Sequence, residues 1–350
     1  MIPPVSVETW KALVAAAHAF NSLAPWDWMH DSAIIGLRHP VSKEVLLGSI
    51  LGRLRTVFAL LVYRGVSGHR WLLNTVLNDG DSGGFEREDT AFEQDCVKAE
   101  FVQKRELTKE DHALLTGVSY APQQKRGPVW PQFRSIVPGG YPWHVTQAEA
   151  ETLLFALPRV AAVARLLRES PTVLDGHLDG DIAFVPDQFD PAVSTLRAED
   201  LDWEPMIPPP EPMVEPVSLD ASTMAKWLKL TQPPGFHLEL DVTYSNFPIL
   251  SDGRPRFPKL AMAVDHVSGF VGGFRLADFK DRDGASALGV VLRDTLTQLG
   301  YRPEVFLVQR PRVAAMLTKV AGELGIPAIL EIELPALNAA REGMEQHFQR

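Results

Sequence analysis

The sequence predicts two domains, an α+β domain with an antiparallel meander followed by an α/β domain with a mixed sheet. The chain has 350 residues, enough for two hydrophobic cores, and 45% of them are hydrophobic. A proline-dense acidic segment at 202–216 interrupts the apolar periodicity. Strand and helix patterns follow a different order on its two sides. We therefore predict domains at 1–170 and 218–350, with an irregular connection and a proline-rich acidic linker at 171–217.

The first domain is predicted to begin with an amphipathic helix at 7–20, where apolar residues recur at the spacing of one buried face. Three strand-like runs with short turns between them then predict an antiparallel meander. These runs are 33–37, 45–51 and 57–63. Capping boxes that begin at Thr108 and Thr146 predict the starts of two later helices. The remaining predicted elements are a helix at 65–77 and a strand at 96–105.

The second domain is predicted to follow the order βββαβαβα, after a short helix capped near Asp220. Its strands are expected at 236–244, 259–264, 269–276, 305–308 and 328–332, and its later helices begin near 285, 311 and 337. Three antiparallel strands followed by alternating helices and strands are typical of the ribonuclease H-like topology, a mixed sheet with helices on its faces. We predict that topology for this domain.

Two aspartates lie in strands of this domain, where acidic residues are unusual. Asp241 falls in the middle of a predicted strand and Asp265 at the end of the next long one. Ribonuclease H-like enzymes carry a metal-binding Asp on the first strand, and a two-metal site needs several converging carboxylates. Asp241 and Asp265 are therefore candidate catalytic residues, and Asp241 is a candidate metal ligand. Mg²⁺ is the expected cofactor only if the protein is such an enzyme; otherwise the sequence identifies no cofactor.

The rest of the chain does not complete such a site. The ribonuclease H-like pattern usually has a second acid after the fourth strand, where this chain has Gln309 and Arg310. Glu342 or Glu345 on the last helix can supply a third ligand, but glutamates on helix surfaces are usually solvated. Asp265 can equally cap the turn between two strands, a common role for Asp.

Composition disfavours several further classes of protein. The single cysteine, Cys96, cannot form an internal disulfide or a thiolate metal site, and its strand pattern is typical of a buried residue rather than a nucleophile. A net charge of −10 disfavours broad nonspecific nucleic-acid binding. No apolar run reaches the ~20 residues needed to cross a bilayer, and no secretory signal pattern is visible. We expect a cytoplasmic protein without membrane association.

An aromatic segment at 128–143 stands among prolines and glycines. Its aromatic residues and its arginine are Trp130, Phe133, Arg134, Tyr141 and Trp143. Proline removes backbone donors, so this segment cannot be a central strand. It is either a rigid ligand platform with Arg134 as an anion contact, or an irregular crossover whose aromatic side chains fill the edge of the core. We favour the second interpretation of its structure.

Motifs in both halves resemble a bacterial family of uncharacterised two-domain proteins. They lie at 25–31, 58–65, 104–111, 130–135, 141–143, 253–258, 264–269 and 334–337. Both halves of that family are known only as domains of unknown function. The resemblance therefore implies a two-domain protein and brings no activity, cofactor or site residue.

The function that we favour from the sequence is a non-catalytic binding or regulatory module with an unknown partner. Its predicted contact residues are Trp130, Arg134, Tyr141 and Trp143, together with Trp26 and Trp28. The alternative is a ribonuclease H-like metal-dependent nuclease or phosphoryl-transfer enzyme that uses Asp241 and Asp265. The sequence does not identify the ligand, and it leaves a homo-oligomer open.

Overall fold

The structure is a computed structural model of the full chain. It describes residues 5–77, 89–122, 127–174 and 181–348, except for the side chains of Glu345 and Phe348. Contacts within the chain define two compact units. Unit 1 comprises Met1–Asp81 and Glu93–Pro210, and unit 2 comprises Ser82–Phe92 and Glu211–Arg350. Each unit is a mixed α/β structure with its own sheet and its own core.

Unit 1 is built on a seven-stranded sheet. Its strands are β1 (Ile35–Arg38), β2 (Val45–Leu51), β3 (Phe58–Arg64), β4 (Cys96–Val102), β5 (Trp130–Ile136), β6 (Asp181–Phe184) and β7 (Asp202–Pro205). The strand order is β5-β4-β3-β2-β1-β6-β7, and every neighbouring pair is antiparallel except β1 and β6. The predicted meander of β1, β2 and β3 is confirmed.

Helices cover both faces of this sheet. They are α1 (Val7–Leu23), α2 (Gly65–Leu77), α3 (Lys109–Gly117) and α4 (Gln147–Glu169). Alternation along β3 sends Leu60 and Val62 into the core that includes α1, α3 and α4, whereas Leu61 and Tyr63 enter a smaller core with α2. Both predicted capping boxes are confirmed, at the starts of α3 and α4.

Three strands of unit 1 fall where the sequence predicts irregular structure. β6 and β7 lie inside 171–217, so the predicted connection contributes two strands to the sheet. Each of these two strands has four residues, which are too few to show a reliable alternation of apolar and polar side chains. The aromatic segment begins with β5, so the prediction of an irregular crossover is wrong for 130–136. Pro131 is tolerated because β5 lies at the edge of the sheet.

Unit 2 contains a five-stranded mixed sheet and a separate hairpin. The strands are β8 (His237–Tyr244), β9 (Ile249–Ser251), β10 (Arg254–Arg256), β11 (Lys259–Asp265), β12 (Val271–Leu276), β13 (Val305–Val308) and β14 (Ala328–Leu330). The sheet order is β12-β11-β8-β13-β14, and β9 pairs with β10. Strand β11 is antiparallel to both of its neighbours, β12 and β8, whereas β8, β13 and β14 are parallel.

The helices of unit 2 alternate with the later strands. They are α5 (Ala221–Trp227), α6 (Ala285–Leu299), α7 (Pro311–Leu324) and α8 (Pro335–Phe348). Along the chain, the sheet strands and the last three helices follow the predicted order βββαβαβα, with the hairpin of β9 and β10 inserted after β8. The hairpin was not predicted, since each of its strands has three residues.

The two faces of β8 differ in chemistry. Leu238, Leu240 and Val242 enter the main core with α6 and α7, as the alternation predicts. The other face carries Glu239, Asp241 and Thr243, which are also buried, next to an apolar cluster that includes Leu337 of α8. This polar face of β8 therefore carries buried ionisable side chains, including the candidate site residue Asp241.

The carboxyl ends of the parallel strands β8 and β13 lie side by side. Helix α7 begins directly after β13, with Arg310 as its N-cap residue and Pro311 in its first turn. In open α/β sheets, ligands usually bind outside the carboxyl ends of the strands.

Among the described residues, no helix combines the length and the apolar character needed to span a bilayer.

Candidate functional site

Asp241 lies on β8 and is only 1% exposed. Its Oδ1 accepts a hydrogen bond from the backbone N of Val242 at 2.9 Å. Its Oδ2 accepts hydrogen bonds from Nη1 of Arg310 and, at 2.7 Å, from Nη2 of Arg341 on α8. Arg310 is itself only 2% exposed. The carboxylate that the sequence predicts as a metal ligand is therefore engaged by two guanidinium groups.

Asp89 supplies a second carboxylate to the same place. Its Oδ2 lies 2.6 Å from Nη2 of Arg312 and 3.2 Å from Nε of Arg310. Its Oδ1 accepts hydrogen bonds from Oγ1 of Thr243 at 3.1 Å and from the backbone N of Tyr244 at 3.4 Å. We call the group formed by Asp89, Asp241, Arg310, Arg312 and Arg341 the arginine cluster.

Arg310 is the shared member of the arginine cluster, because it is ion-paired with both aspartates. Burying a charge is costly unless the charge is paired and hydrogen-bonded. Besides its two ion pairs, Arg310 donates a hydrogen bond from Nη2 to Oγ1 of Thr243 at 3.4 Å. Arg312 additionally donates to the carbonyl oxygen of Val242 at 3.0 Å. Among the described residues, three guanidinium groups meet two carboxylates here. Such a cluster is suited to holding anions rather than cations.

Asp265 does not join Asp241. It pairs with Leu238 across the sheet, whereas Asp241 pairs with Met262, so the two positions are three residues apart along β11, roughly 10 Å. Oδ1 of Asp265 accepts a hydrogen bond from the backbone N of Val267 at 3.0 Å, and Oδ2 accepts one from Oγ of Ser268 at 2.7 Å. Asp265 thus caps the turn between two strands, which is the structural alternative that the sequence offers.

No metal-binding group of three His, Cys, Asp or Glu side chains occurs within the described parts of the chain. Of the two glutamates considered as a third ligand, Glu342 is exposed, and the side chain of Glu345 lies outside the description. Helix α8 instead contributes Arg341 to the cluster. The residues around Asp241 therefore do not fit a Mg²⁺ site, and a metal-binding role for Asp241 stays a prediction.

Glu239 is a buried acid for which the sequence suggests no partner. Its side chain is fully buried, and its Oε1 lies 2.6 Å from Nδ1 of His266. Its Oε2 accepts a hydrogen bond from the backbone N of Leu337 at 2.7 Å, in the first turn of α8. A carboxylate is favourable at a helix N-terminus, where backbone N–H groups are unpaired. Glu239 therefore helps to hold α8 against the polar face of β8.

In unit 1, Arg134 is paired within the protein. Its Nη1 and Nη2 donate to Oδ1 and Oδ2 of Asp111 at 2.9 and 2.6 Å. Burial acts to raise the pKa of Asp111, but the hydrogen bonds and charge of Arg134, together with Gln132, outweigh it and lower that pKa to about 2. Arg134 is thus engaged in an internal ion pair, and its contact with an external anion stays a prediction.

The predicted aromatic contact residues divide by burial. Trp26 and Trp130 are buried in the core, and Trp28 and Trp143 are half-buried. Tyr141 is 47% exposed. Two of the five aromatic residues therefore pack in the core, in keeping with the core-filling interpretation, and the other three retain exposed surface. A binding role for Trp28, Tyr141 or Trp143 stays a prediction.

Cys96 is fully buried on β4, as the sequence predicts. Burial raises the pKa of its thiol to about 12. A thiol reacts as a nucleophile only when it is deprotonated, so Cys96 is unsuited to nucleophilic chemistry.

Comparisons with known protein families cover both units. Residues 10–184 match the model of a domain of unknown function, DUF7309, and residues 223–345 match that of a second domain of unknown function, DUF6930. No curated protein and no solved structure matches the chain significantly. The two-domain arrangement implied by the sequence motifs is confirmed. Because the first match covers half of the chain, the protein belongs to the DUF7309 family and carries a DUF6930 domain after it.

Proposed function

We propose that this protein is a non-catalytic binding module and that the arginine cluster of unit 2 is its site for anionic groups. One observation carries this proposal: Arg310 and Arg341 both donate to Oδ2 of Asp241. Metal-dependent phosphoryl transfer needs carboxylates that are free to hold two cations. Here the negative charge of Asp241 is balanced by the guanidinium groups of Arg310 and Arg341. These positive groups repel a further cation.

The strand order of unit 2 supports a finer proposal about its fold. With the five sheet strands numbered along the chain, the order β12-β11-β8-β13-β14 becomes 3-2-1-4-5. Strand 2 is antiparallel to strands 1 and 3, and strands 4 and 5 are parallel to strand 1. We propose that this sheet has the ribonuclease H-like topology. The position after the fourth strand, where such enzymes usually carry an acid, then holds Gln309 and Arg310. An arginine there favours an ion pair over a metal site.

The test is a nuclease assay with the purified full chain. DNA, RNA and an RNA–DNA hybrid are each incubated with Mg²⁺ or Mn²⁺, alongside the Asp241→Asn variant. We expect no cleavage by either protein. Asp265→Asn is the matched control, because Asp265 is an acid of the neighbouring strand that only caps a turn. Cleavage by the wild type that Asp241→Asn abolishes and Asp265→Asn retains would overturn the proposal.

The alternative function is a metal-dependent nuclease or phosphoryl-transfer enzyme. The observation that favours it is the position of Asp241 on the central strand β8, the first strand of the proposed topology. Under this alternative Asp241 must exchange both guanidinium partners for a cation. The same assay decides between the two functions, since only the alternative predicts metal-dependent cleavage.

We also propose that the protein acts in the bacterial cytoplasm. A single buried cysteine suits a reducing compartment, and the sequence motifs resemble those of a bacterial family. The net charge of −10 supports a partner other than bulk nucleic acid. Fractionation of cells that express the tagged full chain checks the location, and recovery in the membrane or secreted fraction would contradict it.

A further inference from the structure

We infer that unit 2 has a docking site for a short peptide that carries a carboxylate and, three residues later, an aromatic ring. The stretch 89–92 of the same chain occupies this site in the structure. The site is formed by Thr243, Tyr244, Phe257, Arg310 and Arg312, and we call it the docking site. The inference rests on the proposed function, because it names the kind of partner that the binding module takes.

The carboxylate half of the docking site is built from two adjacent chain ends. The end of β8 supplies the hydroxyl of Thr243 and the backbone N of Tyr244, and the start of α7 supplies Arg310 and Arg312. All four groups approach the carboxylate of Asp89, which is buried. The contact of Arg310 is an ion pair, and charge-assisted hydrogen bonds such as that of Arg312 are stronger than neutral ones. Because strand and helix backbones hold these donors, the site is organised for a carboxylate.

The aromatic half of the docking site lies beside it. The ring of Phe92 stacks on Tyr244 with ring centroids 5.0 Å apart, and it meets Phe257 edge-on with centroids 4.9 Å apart. The backbone N of Phe92 donates to the carbonyl oxygen of Asp89 at 2.9 Å. This turn fixes the distance between the carboxylate and the ring. An isolated carboxylate or phosphate matches half of the site, whereas a peptide with both groups matches all of it.

The stretch 89–92 contacts unit 2 as a ligand does. It belongs to unit 2, yet the chain before it up to Asp81 and the chain from Glu93 onward belong to unit 1. None of its described residues is a member of the two hydrophobic clusters of unit 2. Its side-chain contacts with unit 2 include the ion pairs of Asp89 and the ring contacts of Phe92. A few anchoring side chains commonly carry most of the energy of such binding.

An occupant that is part of the same chain has a high effective concentration, on the order of millimolar for a short linker. A free peptide therefore competes poorly while Asp89 and Phe92 are present. Removing both side chains from the full chain should empty the docking site and leave its five wall residues unchanged. The emptied protein is the right receptor for a binding experiment.

The experiment measures fluorescence anisotropy of a labelled synthetic peptide with the sequence of residues 86–93. The receptors are the wild-type full chain and the double variant Asp89→Ala/Phe92→Ala. We expect the double variant to bind the peptide about tenfold or more tightly than the wild type does. Peptides with the aspartate of position 89 changed to asparagine, or with the phenylalanine of position 92 changed to alanine, should each bind about tenfold more weakly.

Two further receptors test the wall of the site. Adding Arg312→Ala to the double variant should remove the tight binding, because Arg312 is the partner closest to the carboxylate. Adding Arg293→Ala should leave it unchanged, since Arg293 is an exposed arginine of α6 that pairs with Asp294. Arg312 is less buried than Arg310, so its loss disturbs the fold less.

Equal peptide binding by the wild type and a folded double variant, or none by either, overturns the inference. Retention of tight binding after Arg312→Ala overturns it as well. If the double variant does not fold, the nearly isosteric Asp89→Asn takes its place, and the same increase over the wild type is required. These outcomes are separate from the nuclease assay: metal-dependent cleavage would overturn the proposed function, whereas failed peptide binding without cleavage would overturn only the docking site.

Discussion

Asp111 in unit 1 and Asp241 in unit 2 are both buried carboxylates that accept hydrogen bonds from arginine, but their partners come from different distances along the chain. Asp111 meets Arg134, which is 23 residues away, in a two-point ion pair. Asp241 meets Arg310 and Arg341, which are 69 and 100 residues away, and Arg310 also contacts Asp89.

The difference separates two uses of buried charge. The pair of Asp111 and Arg134 joins the start of α3 to the edge strand β5, and the further partners of Asp111, Thr108 and Gln132, belong to the same stretch of chain. The arginine cluster instead draws together β8, α7, α8 and the stretch 89–92. An ion pair between residues close in sequence stabilises a local structure, whereas a shared arginine couples distant segments and makes each depend on the others.

We expect Asp241→Ala to cause the largest loss of folding stability. It leaves Arg310 buried with one carboxylate fewer, and breaking a buried ion pair from one side costs about 3–5 kcal/mol. Denaturant unfolding of the full chain measures the loss, with Asp265→Ala as the control for removing an acid from a neighbouring strand. A loss no larger than that of the control would mean that the cluster is not coupled as described.

Breaking the ion pair of Asp111 and Arg134 should lower the free energy of unfolding by a smaller amount, and this loss should depend on pH. The pKa of Asp111 is lowered to about 2 from a usual value of 3.8, a difference equivalent to about 2 kcal/mol in favour of the folded state. This stabilisation is present above pH 4 and is lost as the pH falls through the folded-state pKa. Asp111→Asn should therefore cost about 2 kcal/mol at pH 7.

Unfolding measurements of the wild type and of Asp111→Asn between pH 7 and pH 2 test this expectation. The difference in the free energy of unfolding should narrow as the pH falls below 4. A difference that stays constant to pH 2 would show that the ion pair is not what Asp111→Asn removes.

Asp89→Ala should have a moderate effect confined to unit 2. Removing this carboxylate leaves a hydrogen-bonding hydroxyl and two guanidinium groups with one partner fewer, at a cost of about 1–3 kcal/mol. Hydrogen exchange followed by mass spectrometry locates the loss. We expect faster exchange in β8 and α7. Faster exchange in β4 alone, the strand that follows residue 89 in sequence, would contradict the assignment of Asp89 to unit 2.

The smallest effect is expected for Tyr141→Ala, within about 0.5 kcal/mol, because Tyr141 is 47% exposed. Trp130→Ala is the contrasting variant of the same segment, and loss of a buried tryptophan costs about 3–5 kcal/mol. Thermal and denaturant unfolding compare the two. Similar losses for both variants would contradict the division of this segment into core and surface residues.

Prediction from the sequence succeeded where the signal was local and repeated. α2, β2 and β13 have the predicted bounds, and α6 and α7 begin where predicted, because each has a clear apolar pattern or a glycine or proline at an end. β6, β7 and the hairpin of β9 and β10 were missed, since three or four residues do not establish a period. Propensity and pattern describe long elements better than short ones.

The candidate site was only partly predictable. The alternation of β8 placed Glu239, Asp241 and Thr243 on one face, and the residues Gln309 and Arg310 after β13 indicated that an acid was lacking there. No sequence pattern indicates that Arg310 contacts Asp241, nor that Arg341 of α8 reaches the same carboxylate. The sequence around a single arginine does not distinguish a solvated side chain from one that is buried against an acid.

The sequence by itself determined the alternation of strands and helices, the two-domain arrangement, the capping boxes and the burial of Cys96, because these depend on near neighbours and on composition. Only the tertiary structure decided that Asp265 caps a turn, that Arg134 is paired with Asp111, and that Asp89 and Asp241 share Arg310. The physical reason is that an ionised side chain is stabilised by whichever opposite charge the fold brings within a few ångströms, and distance along the chain does not reveal that charge.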